Sequence, residues 1–195
     1  VPSGALVLDS KSAYPGADAE FMVDISGGSF SASENVSTVN QVAPDGDDEI
    51  LISIIGGTFT SDVSEYCANG YEAQERADGS YGIAVSGGDA VAENSTTGQQ
   101  YASLADAIMY ANDGDTIALL SDISETVTFD RDIELTLDLG EFTLSAGSGS
   151  PVTVTAGTLI IDASTGGIAG TSAAVLINNG ATVDIVGGKL TSNGY

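Results

Sequence analysis

Three consecutive stretches decide the fold: VTFDRDIELTLDLGEFTLSAGSGSP (residues 127–151), VTVTAGTLIIDASTGGIAGTSA (152–173) and VLINNGATVDIVGGKLTSNGY (175–195). Laid under one another, they repeat. Val127, Val152 and Val175 open them at spacings of 25 and 23 residues, and Leu135, Leu159 and Val183 follow at 24 and 24. In IELTLDL, the side chains of Ile133, Leu135, Leu137 and Leu139 fall on one face at period two. VTVT, LIID, VLIN and TVDIV read as further short strands separated by Gly, Asn and Ser turns. A period of about two dozen residues, holding three short strands and no helix, is one coil of a parallel β-helix. Such coils hydrogen-bond to one another, and alternation along each strand sends every second side chain into apolar ladders.

Outward from these coils the first half carries the same unit. FMVDISGGSF (21–30) and ILISIIGGTF (50–59) align at a spacing of 29, and DIVGGKL (184–190) is a third copy of the strand–Gly–Gly corner. A Gly-Gly pair allows a sharp corner at positive φ, where a Cβ would clash. Phe30, Phe59 and Leu190 then point back into the core. The segment SDVSEYCANGY (61–71) is expected to plug the stack, with Tyr66, Cys67 and Tyr71 over the ladders. GYEAQERADGSYGIAV (70–85) predicts a hairpin turning at Asp78-Gly79. Thr96 to Gln100 is polar and predicts a linker.

SLADAIMYANDGD (103–115) predicts the chain's one helix, with Leu104, Ala107, Ile108 and Ala111 on one face. Ser103 and Asp106 form a capping box with a shorter acid, and Gly114 is a suitable stop. An open solenoid end exposes unpaired strand edges; a helix just before the coils would cover one. The expected fold class is all-β: a parallel β-helix (solenoid) with one short amphipathic capping helix and a β-hairpin. Residues 1–95 form coils ending in a plug and hairpin, and residues 96–195 form the cap helix plus three coils.

Composition narrows the function classes. The 195 residues carry 28 acids, four bases (Lys11, Arg76, Arg131, Lys189) and no histidine, a formal charge of −24. That charge repels nucleic-acid phosphates and anionic membrane surfaces, and suits an acidic secreted protein. Cys67 is alone, so no disulfide forms within the chain. Without histidine it has no partner for thiol catalysis, and Cys/His metal chemistry is excluded. No apolar run is long enough to span a bilayer. VPSGALVLDS lacks the basic region of a signal peptide, so a mature product or a cut segment is expected.

Three kinds of candidate chemistry stand against this background. Arg131 near Asp130, Asp132 and Glu134 offers the residue types of a uronate lyase, and equally those of a solvated ion pair. Glycoside hydrolysis needs two carboxylates across a groove, a demand that 28 acids meet too easily to be informative. Calcium has oxygen ligands close in sequence at Asp45, Asp47 and Asp48 (DGDDE) and at Asp113 and Asp115 (NDGD), although neither run matches an EF-hand loop. No other cofactor is expected. Tyr14, Tyr81 or Tyr101 could stack on sugar rings, and Asn35 and Asn94 head glycosylation sequons.

YASLADAIMYANDGDTIALLSDISETVTF (101–129) resembles the opening of pectate-lyase-like right-handed β-helix modules, in which a cap helix leads into the first coil. LTLDLGEFTLSA (135–146) resembles one of their coils. GGTFTSDVSEYCANGYEAQERADGSYGI (56–83) resembles a closing segment of large surface proteins of anaerobic Firmicutes. That family holds polysaccharide lyases and glycosidases as well as many non-catalytic adhesins and stalks. The order differs here: the closing segment (54–85) precedes the opening one (101–145). Either the chain is a window on a tandem array, or its coils are completed between molecules. Were Tyr195 followed by Val1, Ala174 and Ala5 would lie 26 residues apart, one coil length.

The resemblance and the coils together imply a non-catalytic structural or adhesive segment of an extracellular, cell-surface protein or filament. Its expected partners are further copies or modules stacked end to end, and host or cell-wall glycans, with no nucleic acid and no membrane insertion. The other expectation is a carbohydrate-binding or carbohydrate-cleaving module.

Overall fold

The computed structural model describes residues 4–9, 21–33, 36–42, 50–178 and 180–192. The chain divides into two compact units, Val1–Gly88 and Asp89–Tyr195. Each contains stacked parallel strands, and the fold is a β-solenoid with, among the described residues, one α-helix.

In the first unit, β1 (Leu6–Asp9) pairs in parallel with β3 (Val39–Val42), and β2 (Phe21–Phe30) with β4 (Ile50–Phe59). The expected 29-residue spacing is the observed register: Val23 lies opposite Ile52, Ile25 opposite Ile54 and Phe30 opposite Phe59, with a bulge at Ser26. The second glycine of each pair makes the corner, at φ 97° for Gly28 and 112° for Gly57. A Cβ on Gly57 would also come within 3.1 Å of the Phe59 ring. The corners bring Phe30 and Phe59 face to face, centroids 5.0 Å apart and planes within 5°.

The plug forms with different residues in the lead. A 3-10 turn at Ser64–Tyr66 is held by Asp62, whose Oδ1 accepts from the Ser64 N–H (2.9 Å) and Oγ (2.5 Å). Val63 is the fully buried member, packed with Ile25, Val39, Ile54 and Phe59; Tyr71 is buried, while Tyr66 and Cys67 are only partly covered. The chain then bridges to β4, where the Ala68 N–H donates to the Ile54 carbonyl. Strands β5 (Tyr71–Glu75) and β6 (Tyr81–Val85) form the expected hairpin, with Gly79 at φ 80°, and β6 joins β4 antiparallel. An antiparallel strand thus ends this parallel stack.

The second unit opens with a hairpin, β7 (Ala92–Asn94) and β8 (Gln99–Tyr101). Thr96–Gln100, expected as a linker, supplies its turn and most of β8, with Gly98 at φ 76°. Short polar residues with a glycine suit a two-strand turn as well as a linker, and only the pairing decides. Helix α1 (Leu104–Tyr110) follows; Leu104, Ala107, Ile108 and Ala111 are all buried, and Ser103 Oγ accepts from the Asp106 N–H at 3.0 Å. The helix stops at Tyr110, before Gly114, which instead makes a turn at φ 81°.

The coils then run β9 (Asp115–Leu119), β10 (Ile123–Ser124) and β11 (Val127–Phe129), and next β12 (Glu134–Asp138), β13 (Thr143–Ser145) and β14 (Val152–Val154). A third coil has β15 (Thr158–Asp162), β16 (Gly167–Gly170) and β17 (Val175–Ile177), and a fourth begins with β18 (Thr182–Ile185) and β19 (Lys189–Ser192). All pairings between coils are parallel. The registers are the expected ones: Val127, Val152 and Val175 stack, as do Leu135, Leu159 and Val183. Further ladders run Ile117–Leu137–Ile161–Ile185, Ile123–Leu144–Ile168–Leu190 and Phe129–Val154–Ile177.

Leu159 sits at the centre of its ladder and is buried. Leu159→Ala is expected to cost about 2–5 kcal/mol, the range for deleting a buried leucine side chain. Gly57→Ala in the first unit is expected to cost about 1–3 kcal/mol, from strained φ and overpacking on Phe59. Denaturant unfolding measures both; a cost for Leu159→Ala below about 0.5 kcal/mol is incompatible with a packed ladder.

Candidate functional site

The two ends of the second unit are unlike, and the difference is the feature of the molecule with most functional content. At one end β7 pairs antiparallel with β9, so the outer edge of β9 is occupied, while β10 and β11 are the outermost strands of their sheets. Helix α1 lies beside this hairpin and is held at both tips by the first coil and its turns. At its N-terminus the Glu125 carboxylate accepts from the Leu104 (3.0 Å) and Ala105 (3.1 Å) N–H groups. At its C-terminus Arg131 Nη1 donates to the carbonyls of Ile108 (3.1 Å) and Ala111. An acid at the positive tip and a base at the negative tip both oppose the helix dipole. Arg131, expected as a lyase-type base or a solvated ion pair beside its acidic neighbours, is seen here reaching the C-terminal end of the helix through Nη1. Its guanidinium is committed to the helix carbonyls.

Asp113 and Asp115 are used the same way. Asp113 Oδ1 accepts from the Glu134 N–H of the next coil at 2.8 Å. Asp115 is buried at the top of the Leu135 ladder. Burial pushes its pKa up, but donors prevail: the Asn112 N–H (2.7 Å), Asn94 Nδ2 (2.7 Å), Asn112 Nδ2 and Thr96 together hold it below the ordinary carboxylate value. Asn94 is buried too, and its Oδ1 accepts from the Thr96 and Thr97 N–H groups. A glycan could not be carried there in the folded state; Asn35 lies outside the described residues. So do Asp45, Asp47 and Asp48. Among the described residues, no three His, Cys, Asp or Glu side chains converge in a way that could hold a metal ion.

The opposite end has no such closure. Among the described residues nothing pairs with the outer edges of β17, β18 and β19. One coil earlier, Val154 and Ile161 are 0% and Ile168 1% exposed; their ladder successors Ile177, Ile185 and Leu190 are 50%, 52% and 38% exposed. With Val175, Val183 and Ala174 they line an open apolar depression. The unpaired parallel edges therefore surround an exposed aliphatic floor.

The first unit contributes a cleft of about 760 Å³ lined by Ala32, Ser33, Val36, Thr60, Ser61 and Asp78, with Ser37, Gly79 and Ser80 completing it. Beneath it Thr38 is buried, its N–H donating to Ser61 Oγ (2.7 Å) and its hydroxyl contacting Thr60 Oγ1 (3.2 Å). Among the described residues, no tyrosine expected as a sugar platform lines the cleft. Tyr101 is buried in the second unit, Tyr81 packs on the first unit's core, and Tyr14 lies outside the described residues. Burial pushes the Cys67 thiol up, and Asp62 and Glu72 add to the shift, so it stays protonated near neutrality. None of the described helices is long and apolar enough to cross a membrane.

These observations define the chain as a parallel β-solenoid whose second unit is capped over β9 by a hairpin and helix at one end and has unpaired edges and exposed ladder residues at the other. No protein-family model, curated protein or solved structure matches it.

Two outcomes test the closed end. Arg131→Met leaves two helix carbonyls without their donor and is expected to cost about 1–3 kcal/mol, with faster hydrogen exchange across residues 104–110. Unchanged exchange there would refute the clamp. Asp115, with a folded-state pKa below its unfolded value, contributes stability above the unfolded pKa, which is lost as pH falls through the folded value. Exchange at residues 112–119 is therefore expected to accelerate below about pH 4, and Asp115→Asn to flatten that dependence.

Proposed function

We propose that the chain is a non-catalytic structural segment of an extracellular surface protein or filament. It is a length of solenoid extended by further coils at its open end, supplied by the same polypeptide or by another copy. The observation that carries this reading is the step in ladder exposure between the third and fourth coils. Fully burying a large aliphatic side chain contributes about 1.5–3 kcal/mol, so covering the half-exposed Ile177, Ile185 and Leu190 favours extension. The resemblance of residues 101–129 and 56–83 to opening and closing segments of surface-protein modules supports both the scaffold role and the extracellular setting.

The commitment of Arg131, Asp113 and Asp115 to structural hydrogen bonds supports the non-catalytic part. Carbohydrate binding has one observation in its favour, the hydroxyl-lined cleft carrying Asp78 in the first unit. A glycan array combined with a reducing-sugar assay separates the two. The expected result is no retained glycan and no new reducing ends; saturable binding lost in Asp78→Ala, or turnover, would replace the scaffold reading with the carbohydrate one.

A further inference from the structure

Resting on that extension reading, we propose that the layer completing the open end is β2 of a second copy of this chain. In the assembly, Val183-Asp184-Ile185 pairs in parallel with Val23-Asp24-Ile25, and Leu190 lies against Phe30.

Corner width is the first argument. In the second and third coils the sheet change is wide: Leu135 to Leu144 and Leu159 to Ile168 each take nine steps along the chain. In the fourth coil it tightens, and Val183 to Leu190 takes seven. Seven is also the span from Val23 to Phe30 in β2 and from Ile52 to Phe59 in β4. The three segments share one pattern, VDIVGGKL, VDISGGSF and ISIIGGTF. Each turns on its second glycine, at φ 94° for Gly188, 97° for Gly28 and 112° for Gly57. The last coil of the second unit has thus changed from its predecessors' geometry to that of the first unit's coils.

The first unit itself shows how two such segments stack. VDISGGSF lies on ISIIGGTF, valine on isoleucine, Ile25 on Ile54 and Phe30 on Phe59. Applied once more, this register seats β2 on β18 and β19. Ile185 and Leu190 are exposed at the open end; on β2 Val23 and Phe30 are partly uncovered, while Ile25, which would lie opposite Ile185, is already covered within its own unit. Asp24 would face Asp184, a like-charge pair of a kind the fold already holds where Asp138 lies opposite Asp162. Such pairs are unfavourable, so added salt strengthens the assembly.

The chain's own β2 cannot be the occupant. In the stack β7-β9-β12-β15-β18-β2-β4-β6, the two outer strands stand about 33 Å apart at a spacing of roughly 4.7 Å. The connection from Val85 to Ala92 spans at most about 25 Å.

The test mixes two variants of the 195-residue chain, both carrying Cys67→Ser, one with Asp184→Cys and the other with Asp24→Cys. Both positions are exposed, and opposite residues of adjacent strands meet the distance a disulfide needs. Under mild oxidation this pair is expected to cross-link roughly tenfold more than Asp184→Cys with Met22→Cys, which is two residues out of register and too distant. Wild-type chain is expected to associate with rising concentration and salt in sedimentation, and Ile185→Asp, an exposed position, to stay monomeric with an unchanged circular dichroism spectrum.

A folded monomer at every concentration, with no preferential cross-link, overturns the proposal; the glycan assays still judge the scaffold reading separately. Association with equal or greater cross-linking of the out-of-register pair also overturns it, while leaving extension by some other layer in place.

Discussion

A parallel strand in a solenoid satisfies its backbone hydrogen bonds only through the coils above and below it. Every ladder in the second unit follows from this dependence, because the backbone pairing that fixes Val127 on Val152 also fixes which side chains pile up inside. The same dependence makes the ends the only places where the structure has a choice. The plug and hairpin close one edge of the first unit, and the hairpin β7–β8 with α1 closes one edge of the second. In both cases the parallel run is ended by a strand of opposite direction, which satisfies the edge without offering a further parallel layer of the same kind.

Ladder registers were legible in the sequence because they are repeats of one pattern along the chain. Leu135, Leu159 and Val183 can be aligned without any knowledge of three-dimensional structure, and so can the Gly-Gly corners. The hairpin at Gly79 and the buried face of α1 are local signals and were equally readable. The roles of Arg131, Glu125, Asp113 and Asp115 were not, because each reaches a partner about twenty residues away that only the stacking brings close. Read one residue at a time, an acid-rich turn suggests a ligand set. Read at coil spacing, Asp113 falls beside Glu134 and Asp122 beside Thr143, whose N–H groups they accept. The coil period is the signal that would have exposed these contacts.

The closed end also shows how a short helix becomes stable. Seven residues are too few to hold a helix in water on propensity alone. Its buried face, the Ser103 cap, the Glu125 carboxylate and the Arg131 guanidinium supply what propensity lacks. The last two come from the turns around the first coil, so the helix draws two of its supports from that coil.

Charge placement follows the same geometry. Outward positions stacked one strand spacing apart would repel strongly if they were all acidic. The coils instead put threonine and serine there: Thr116 beside Thr136, Thr128 beside Thr153, Ser124 beside Ser145. Ser145 also donates across to the preceding coil, to the Ile123 carbonyl, and in the turns Ser164 does the same to that of Gly140. Acids are moved toward turns and strand ends, where a carboxylate can accept a backbone N–H. Asp138 and Asp162, stacked at the ends of neighbouring strands, accept from Gly140 and Ala163 respectively. A chain of formal charge −24 can in this way wind into close-packed layers: acids such as Asp113, Asp122, Asp138 and Asp162 lie where the backbone provides donors, and the one acid at the head of a ladder, Asp115, is met there by the Asn112 and Asn94 donors.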